Sequence, residues 1–134
     1  MQDAYRDVET NEYSHVYLPA AVWAEKEGCF TNTERRVQRV RKAVEPPGEA
    51  QPDWLIICQL AQKMGAAGFD FSNSEEIMRE LSSVTPQYAG IDYERIEWNG
   101  LQWPCTAPEH LGTPFLYAEK FSTASGKAQF KPLE

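Results

Sequence analysis

Arg35, Arg36, Arg39, Arg41 and Lys42 place five cations within eight residues, with no acid among them. Arginine forks match phosphate and carboxylate oxygens, so such a run suits a phosphorylated ligand or an acidic partner segment. A solvated basic strand edge accounts for the same run without any ligand. The chain has 134 residues, with 13 Lys and Arg against 20 Asp and Glu, a net charge of −7. Bulk charge of that sign does not wrap duplex DNA or an anionic membrane, so no nucleic-acid partner is expected. Cys29, Cys58 and Cys105 lie 29 and 47 residues apart, and no C-x-x-C or H-x3-H spacing occurs. No metal ligand is therefore expected within the chain. His15 and His110 have no Ser or Cys partner nearby, so no catalytic triad is expected either. An odd cysteine count, with no signal peptide at the start, fits a reducing, cytoplasmic setting. No apolar stretch approaches the roughly 20 residues of a membrane span.

The elements that must hold these side chains follow from apolar spacing and chain breakers. Hydrophobic residues make up 42% and charged residues 25%, the composition of a globular domain and not of a disordered tail. His15–Leu18 reads as a short buried strand stopped by Pro19, with no evident parallel neighbour. Cys29–Thr31 and Val37–Val40 read as two strands, with turn chemistry between them. Pro46–Pro47 makes a stiff loop. A helix is predicted from Asp53 to Met64, stopped by Gly65, with Trp54, Ile57, Cys58 and Ala61 on its buried face. Asp53 at its start is favoured by the free N–H groups and the positive dipole end. Cys58 reads as a small core hydrophobe. A second helix, Ser74–Val84, has a cap at Ser72 or Asn73, a capping-box Glu75 or Glu76, and Ile77, Leu81 and Val84 as its stripe. A short third helix is predicted from Asp92 to Asn99, with Ile91 and Ile96 as a staple. Residues 101–114 read as an irregular covering loop, and Phe121–Phe130 as a hairpin about Ser125–Gly126.

The stretch Leu18-Pro19-Ala20-Ala21-Val22-Trp23-Ala24-Glu25-Lys26-Glu27-Gly28-Cys29-Phe30-Thr31-Asn32-Thr33-Glu34-Arg35-Arg36-Val37-Gln38 resembles a block of the molybdopterin oxidoreductase superfamily. Within it, the catalytic subunit of formate dehydrogenases is the most similar. Pro47-Gly48-Glu49-Ala50 followed by Pro52-Asp53-Trp54, Tyr88 to Arg95, and Leu101-Gln102-Trp103-Pro104-Cys105 agree in order and spacing. Gly126-Lys127-Ala128-Gln129-Phe130 looks like the opening of that family's C-terminal barrel. His15 departs from the acidic residue usual in the family. Gln2 to Tyr5 and Glu9-Thr10 also resemble assimilatory nitrate reductases, the alternative within the superfamily.

The resemblance implies a fragment of a large subunit that oxidises formate to carbon dioxide, itself inactive in isolation. It implies a bis-molybdopterin guanine dinucleotide with molybdenum or tungsten, and a [4Fe-4S] cluster, the metal and cluster ligands lying upstream. It implies the remainder of the large subunit and electron-transfer subunits as partners. By the same resemblance, Lys26 and Asp53 bind the dinucleotide: a mobile cation on a post-strand loop suits a pyrophosphate or ring carbonyl, and a carboxylate accepts two N–H bonds from a guanine edge. Lys26 has a second reading, a surface pair with Glu25 or Glu27. Asp53 has one too, as an ordinary helix cap. Asn32, Glu34 and Arg36 are placed either in the pocket wall or in a network bracing the turn. The expected fold class is α/β (α+β in isolation), an incomplete dinucleotide-binding-like domain with appended helices and a C-terminal hairpin. Residues 1–50 would complete a cofactor-binding domain, 51–100 form a helical segment, and 101–134 hold the covering loop and the start of a barrel. A reading of another class is a non-catalytic interaction module that uses the 35–42 basic strip.

Overall fold

A computed structural model describes residues 1–132, so the last two residues of the 101–134 segment lie outside the described residues. Two small sheets and two helices make a mixed α/β chain. Strand β1 (Gln2–Asp3) pairs in parallel with β2 (Leu18–Pro19), Gln2 opposite Leu18 and Asp3 opposite Pro19. The expected strand at 15–18 is thus displaced: Val16 is exposed, and Pro19 sits inside the ladder. Pro19 is tolerated because the donors on that side are its neighbours. Leu18 N–H bonds Met1 O at 2.8 Å and Ala20 N–H bonds Asp3 O at 3.0 Å. The parallel neighbour that sequence spacing did not reveal lies within the chain. Beyond β2, Ala20 bridges Gln51 in parallel, which sets residue 51 beside the end of β2, on the edge away from β1.

Strands β3 (Gly28–Thr31) and β4 (Arg36–Val40) form an antiparallel hairpin with Phe30 opposite Gln38. The Asn32 side chain sets the turn, its Oδ1 accepting the N–H groups of Glu34 at 3.1 Å and Arg36 at 2.9 Å. Residues 101–114 are not wholly irregular: β5 (Leu101–Gln102) extends the sheet beyond β4, Leu101 opposite Val37. Gly100 makes that approach possible. Its φ is +65°, and a Cβ there would lie 2.4 Å from Val37 O.

Helix α1 (Asp53–Lys63) and helix α2 (Ser74–Val84) follow the predicted spans closely. Asn73 caps α2 by accepting Glu76 N–H at 3.0 Å, while Glu76 reaches back to Ser72 N–H at 2.7 Å. The buried faces differ from expectation. On α1, Ile56 and Cys58 are buried and Ile57 is exposed, because apolar residues surround the helix and spacing alone does not choose among them. On α2, Met78 is buried, whereas Leu81 and Val84 are exposed. The third predicted helix is a single turn, closed by Arg95 N–H on Asp92 Oδ1 at 2.8 Å. Its two isoleucines still reach the centre. Val37, Met78, Ile91, Tyr93, Ile96 and Cys105 form the core, so sheet, α2 and the 91–105 segment share one apolar cluster. Residues 121–130 form no strand pair. Phe121 N–H bonds Gly126 O at 2.9 Å, a tight turn without a ladder behind it.

Candidate functional site

Lys26 lies between a short 3-10 turn, Trp23–Glu25, and the start of β3. Glu25 folds back on that turn, accepting Val22 N–H at 2.9 Å, and so does not pair with Lys26. Lys26 instead reaches across to α1 and bonds Asp53 Oδ2. Asp53 is the first residue of α1, preceded by Pro52, which makes no side-chain cap. The other carboxylate oxygen of Asp53 accepts Gln2 Nε2–H at 2.8 Å. Both candidate residues therefore face each other, and Lys26 takes Asp53 in place of Glu25 or Glu27. Burial pushes the Asp53 carboxyl up, but the hydrogen bonds from Lys26 and Gln2 and the Lys26 charge outweigh it and hold it below the usual carboxylate value.

Both residues line a groove of about 300 Å³ between the β3–β4 sheet and the two helices. Phe30, Trp54 and Tyr93 give it aromatic walls, and Ile77, Met78 and Leu81 of α2 give it an aliphatic one. A carboxylate, an ammonium and flat apolar faces together suit a planar, hydrogen-bonding base that carries a phosphate. Behind the groove, Arg39 stacks on Tyr93, its guanidinium carbon 3.7 Å from the ring centroid. The Tyr93 hydroxyl donates to Ser74 Oγ at 2.9 Å.

Asn32, Glu34 and Arg36 brace the turn. Arg36 Nε–H bonds Glu34 Oε1 at 2.9 Å, Asn32 Nδ2–H bonds the same oxygen at 3.2 Å, and Gln102 Nε2–H bonds Glu34 Oε2 at 3.2 Å. The Arg36 bond, then that of Asn32, keeps the Glu34 carboxyl below its usual value. The rest of the basic run is also engaged within the chain. Arg35 donates to carbonyls of Trp103, Thr113 and Pro114, Arg41 pairs with Glu97, and Lys42 pairs with Glu45 at 2.5 Å. Arg35 and Arg36 are thus tied to the chain's own groups, while Arg41 and Lys42 pair with carboxylates at the surface, with side-chain exposures of 46% and 36%. Among the described residues, no three His, Cys, Asp or Glu side chains gather as a metal site. Among them, no helix is long and apolar enough to cross a membrane.

Sequence reading missed Gln2, which carries no motif of its own. It took Arg39 only as one of the basic run and Tyr93 only as part of the Tyr88 to Arg95 stretch, and did not bring the two together. Arg39 had a signal: on a strand, residues 37 and 39 share a face, and Val37 is core.

The family model described as molybdopterin oxidoreductase matches residues 1–63. The chain belongs to the molybdopterin oxidoreductase family. It is 55% identical, over 94% of its length, to F420-dependent formate dehydrogenase 2 subunit alpha of Methanococcus maripaludis, of which it covers 19%. It is 51% identical, over 94% of its length, to F420-dependent formate dehydrogenase subunit alpha of Methanocaldococcus jannaschii, again covering 19%. With the formate dehydrogenase 1 subunit alpha of Methanococcus maripaludis the identity is 52% over 88% of the chain and 18% of that relative. The chain thus spans about a fifth of the length of these relatives.

Proposed function

We propose that the chain is a segment of the catalytic subunit of a molybdopterin-dependent formate dehydrogenase, in which Lys26 and Asp53 hold the guanine nucleotide end of a bis-molybdopterin guanine dinucleotide. The observation that supports this reading is the meeting of those two side chains on one apolar, aromatic-walled groove. The donor set fits the group. Asp53 offers two acceptor oxygens already facing N–H donors, and Lys26 sets a cation beside them. Phe30, Trp54 and Tyr93 supply faces for a purine and keep water from its rings. When bound, the molybdenum or tungsten cofactor supplies the two-electron redox couple for oxidation of formate to carbon dioxide. The residues described here bind and orient; the chain by itself is proposed to be inactive.

The same reading assigns residues 1–50 to a cofactor-binding domain, 51–100 to a helical segment and 101–134 to a covering loop that leads into a barrel. Ligands for the metal and a [4Fe-4S] cluster would lie upstream, with the remainder of the subunit and electron-transfer subunits as partners, in the cytoplasm. The formate dehydrogenase relatives favour this over a nitrate reductase. The exposed cations of the 35–42 strip, Arg41 and Lys42, are paired with Glu97 and Glu45, which leaves an interaction module built on that strip as the second reading.

The test uses the intact large subunit. Lys26→Ala and Asp53→Ala are expected to lower molybdenum content and acid-released guanine nucleotide per subunit more than they change the KM for formate. Unchanged molybdenum and nucleotide content in both variants would refute the assignment.

A further inference from the structure

Arg39 is nine-tenths buried, with a side-chain exposure of 10%, yet it is poorly paired. Its Nε finds no hydrogen-bond partner. The carboxylates of Glu27 and Glu97 stand 3.9 Å away, beyond hydrogen-bond range, and one N–H bonds Gly28 O at 3.2 Å. An underpaired buried cation is costly, and an apolar side chain would fill the space without that cost. What the guanidinium has in place of good ion pairs is the face of Tyr93 at 3.7 Å, a contact that strengthens away from water.

Tyr93 passes this constraint on. Its hydroxyl bonds Ser74, the first residue of α2, and Tyr93 and Ser74 both line the groove with Lys26 and Asp53. The helix has a second tie further along, from Ser82 Oγ–H to Ile91 O at 2.7 Å. Between these ties only Met78 of α2 is buried, so the Ser74 contact is what joins the first turn, itself capped by Asn73 and Glu76, to Tyr93. At its other end, Arg39 holds Gly28, two residues beyond Lys26. We propose that Arg39 is a positioning residue for the groove: it holds Tyr93 on Ser74 and Gly28 on β4, and so fixes the start of α2 relative to the strand that carries Lys26. This rests on the proposed function only for the identity of the groove's ligand.

The experiment compares Tyr93→Phe, Ser74→Ala and Arg39→Lys in the intact large subunit by amide hydrogen exchange and by guanine nucleotide content. Tyr93→Phe keeps the stacked ring and removes only the hydroxyl. Arg39→Lys keeps the charge and removes the planar face. Each is expected to speed exchange in the first turns of α2 about two- to tenfold, the loss of one hydrogen bond, and to lower nucleotide content in step. Arg39→Lys added to Tyr93→Phe is expected to give no further acceleration in α2. Wild-type exchange in α2 for Tyr93→Phe or Ser74→Ala would overturn the proposal, as would an Arg39→Lys effect spread over the whole subunit and additive with Tyr93→Phe. If Lys26→Ala and Asp53→Ala retain their nucleotide, the cofactor assignment fails while the exchange result still decides the role of Arg39.

Discussion

The Lys26 ammonium and the Asp53 carboxylate, 27 positions apart in the chain, are joined directly, Nζ to Oδ2. The joint is made by the parallel bridge of Ala20 to Gln51, which brings the start of α1 beside the loop after β2. Exposures of 21% for Lys26 and 46% for Asp53 leave both open to water on one side.

That partial exposure sets the strength of the pair. A double-mutant cycle of Lys26→Ala and Asp53→Ala on the 134-residue chain is expected to give a coupling of about 0.2–1 kcal/mol, the range of solvent-accessible ion pairs. Urea unfolding of the four proteins measures it. A coupling of several kcal/mol would mean that the pair is shielded from solvent.

The same pair makes stability depend on pH. The Asp53 carboxyl is held below its usual value in the folded chain, so the unfolded chain binds more protons as the pH drops. The stabilisation is present above the unfolded carboxylate value, about 3.9, and is lost as pH falls through the lower folded value. Asp53→Asn is expected to flatten this part of the stability profile. Urea midpoints between neutral and acid pH, compared with wild type, check the sign.

Asn73 is the side-chain cap of α2, and Glu76 answers it on Ser72. Asn73→Ala is expected to cost about 1 kcal/mol, and Asn73→Ser much less. Thermal melting by circular dichroism distinguishes them.

Gly90 packs under the 105–107 segment. A Cβ there would lie 2.0 Å from Ala107 O and 2.9 Å from Cys105 Sγ, whereas one at Gly28 meets nothing within 4 Å. Gly90→Ala is expected to destabilise the chain by about 1–3 kcal/mol or more, with Gly28→Ala far milder. Comparison of their urea midpoints is the check.

The β3–β4 hairpin, both helices, the Asn73 cap and the burial of Cys58, Ile91 and Ile96 were legible from residue order. Each depends on contacts a few positions apart or on a local alternation of apolar residues. The third helix and the 121–130 hairpin were misread. Their local signals, an Asp at a helix start and a Ser-Gly turn, suffice for one turn but supply no packing partner to extend it.

Residue types and order alone therefore determined the family block around Lys26, the helix that begins at Asp53 and the two-residue hypothesis itself. Tertiary structure decided that Lys26 takes Asp53 over Glu25 or Glu27, that Gln2 completes the carboxylate's partners, and that Arg35 and Arg36 of the basic run bond the chain's own groups. Those choices depend on long-range distances, set by the Ala20–Gln51 bridge and by the pairing of β5 with β4, and no local preference of the chain encodes them.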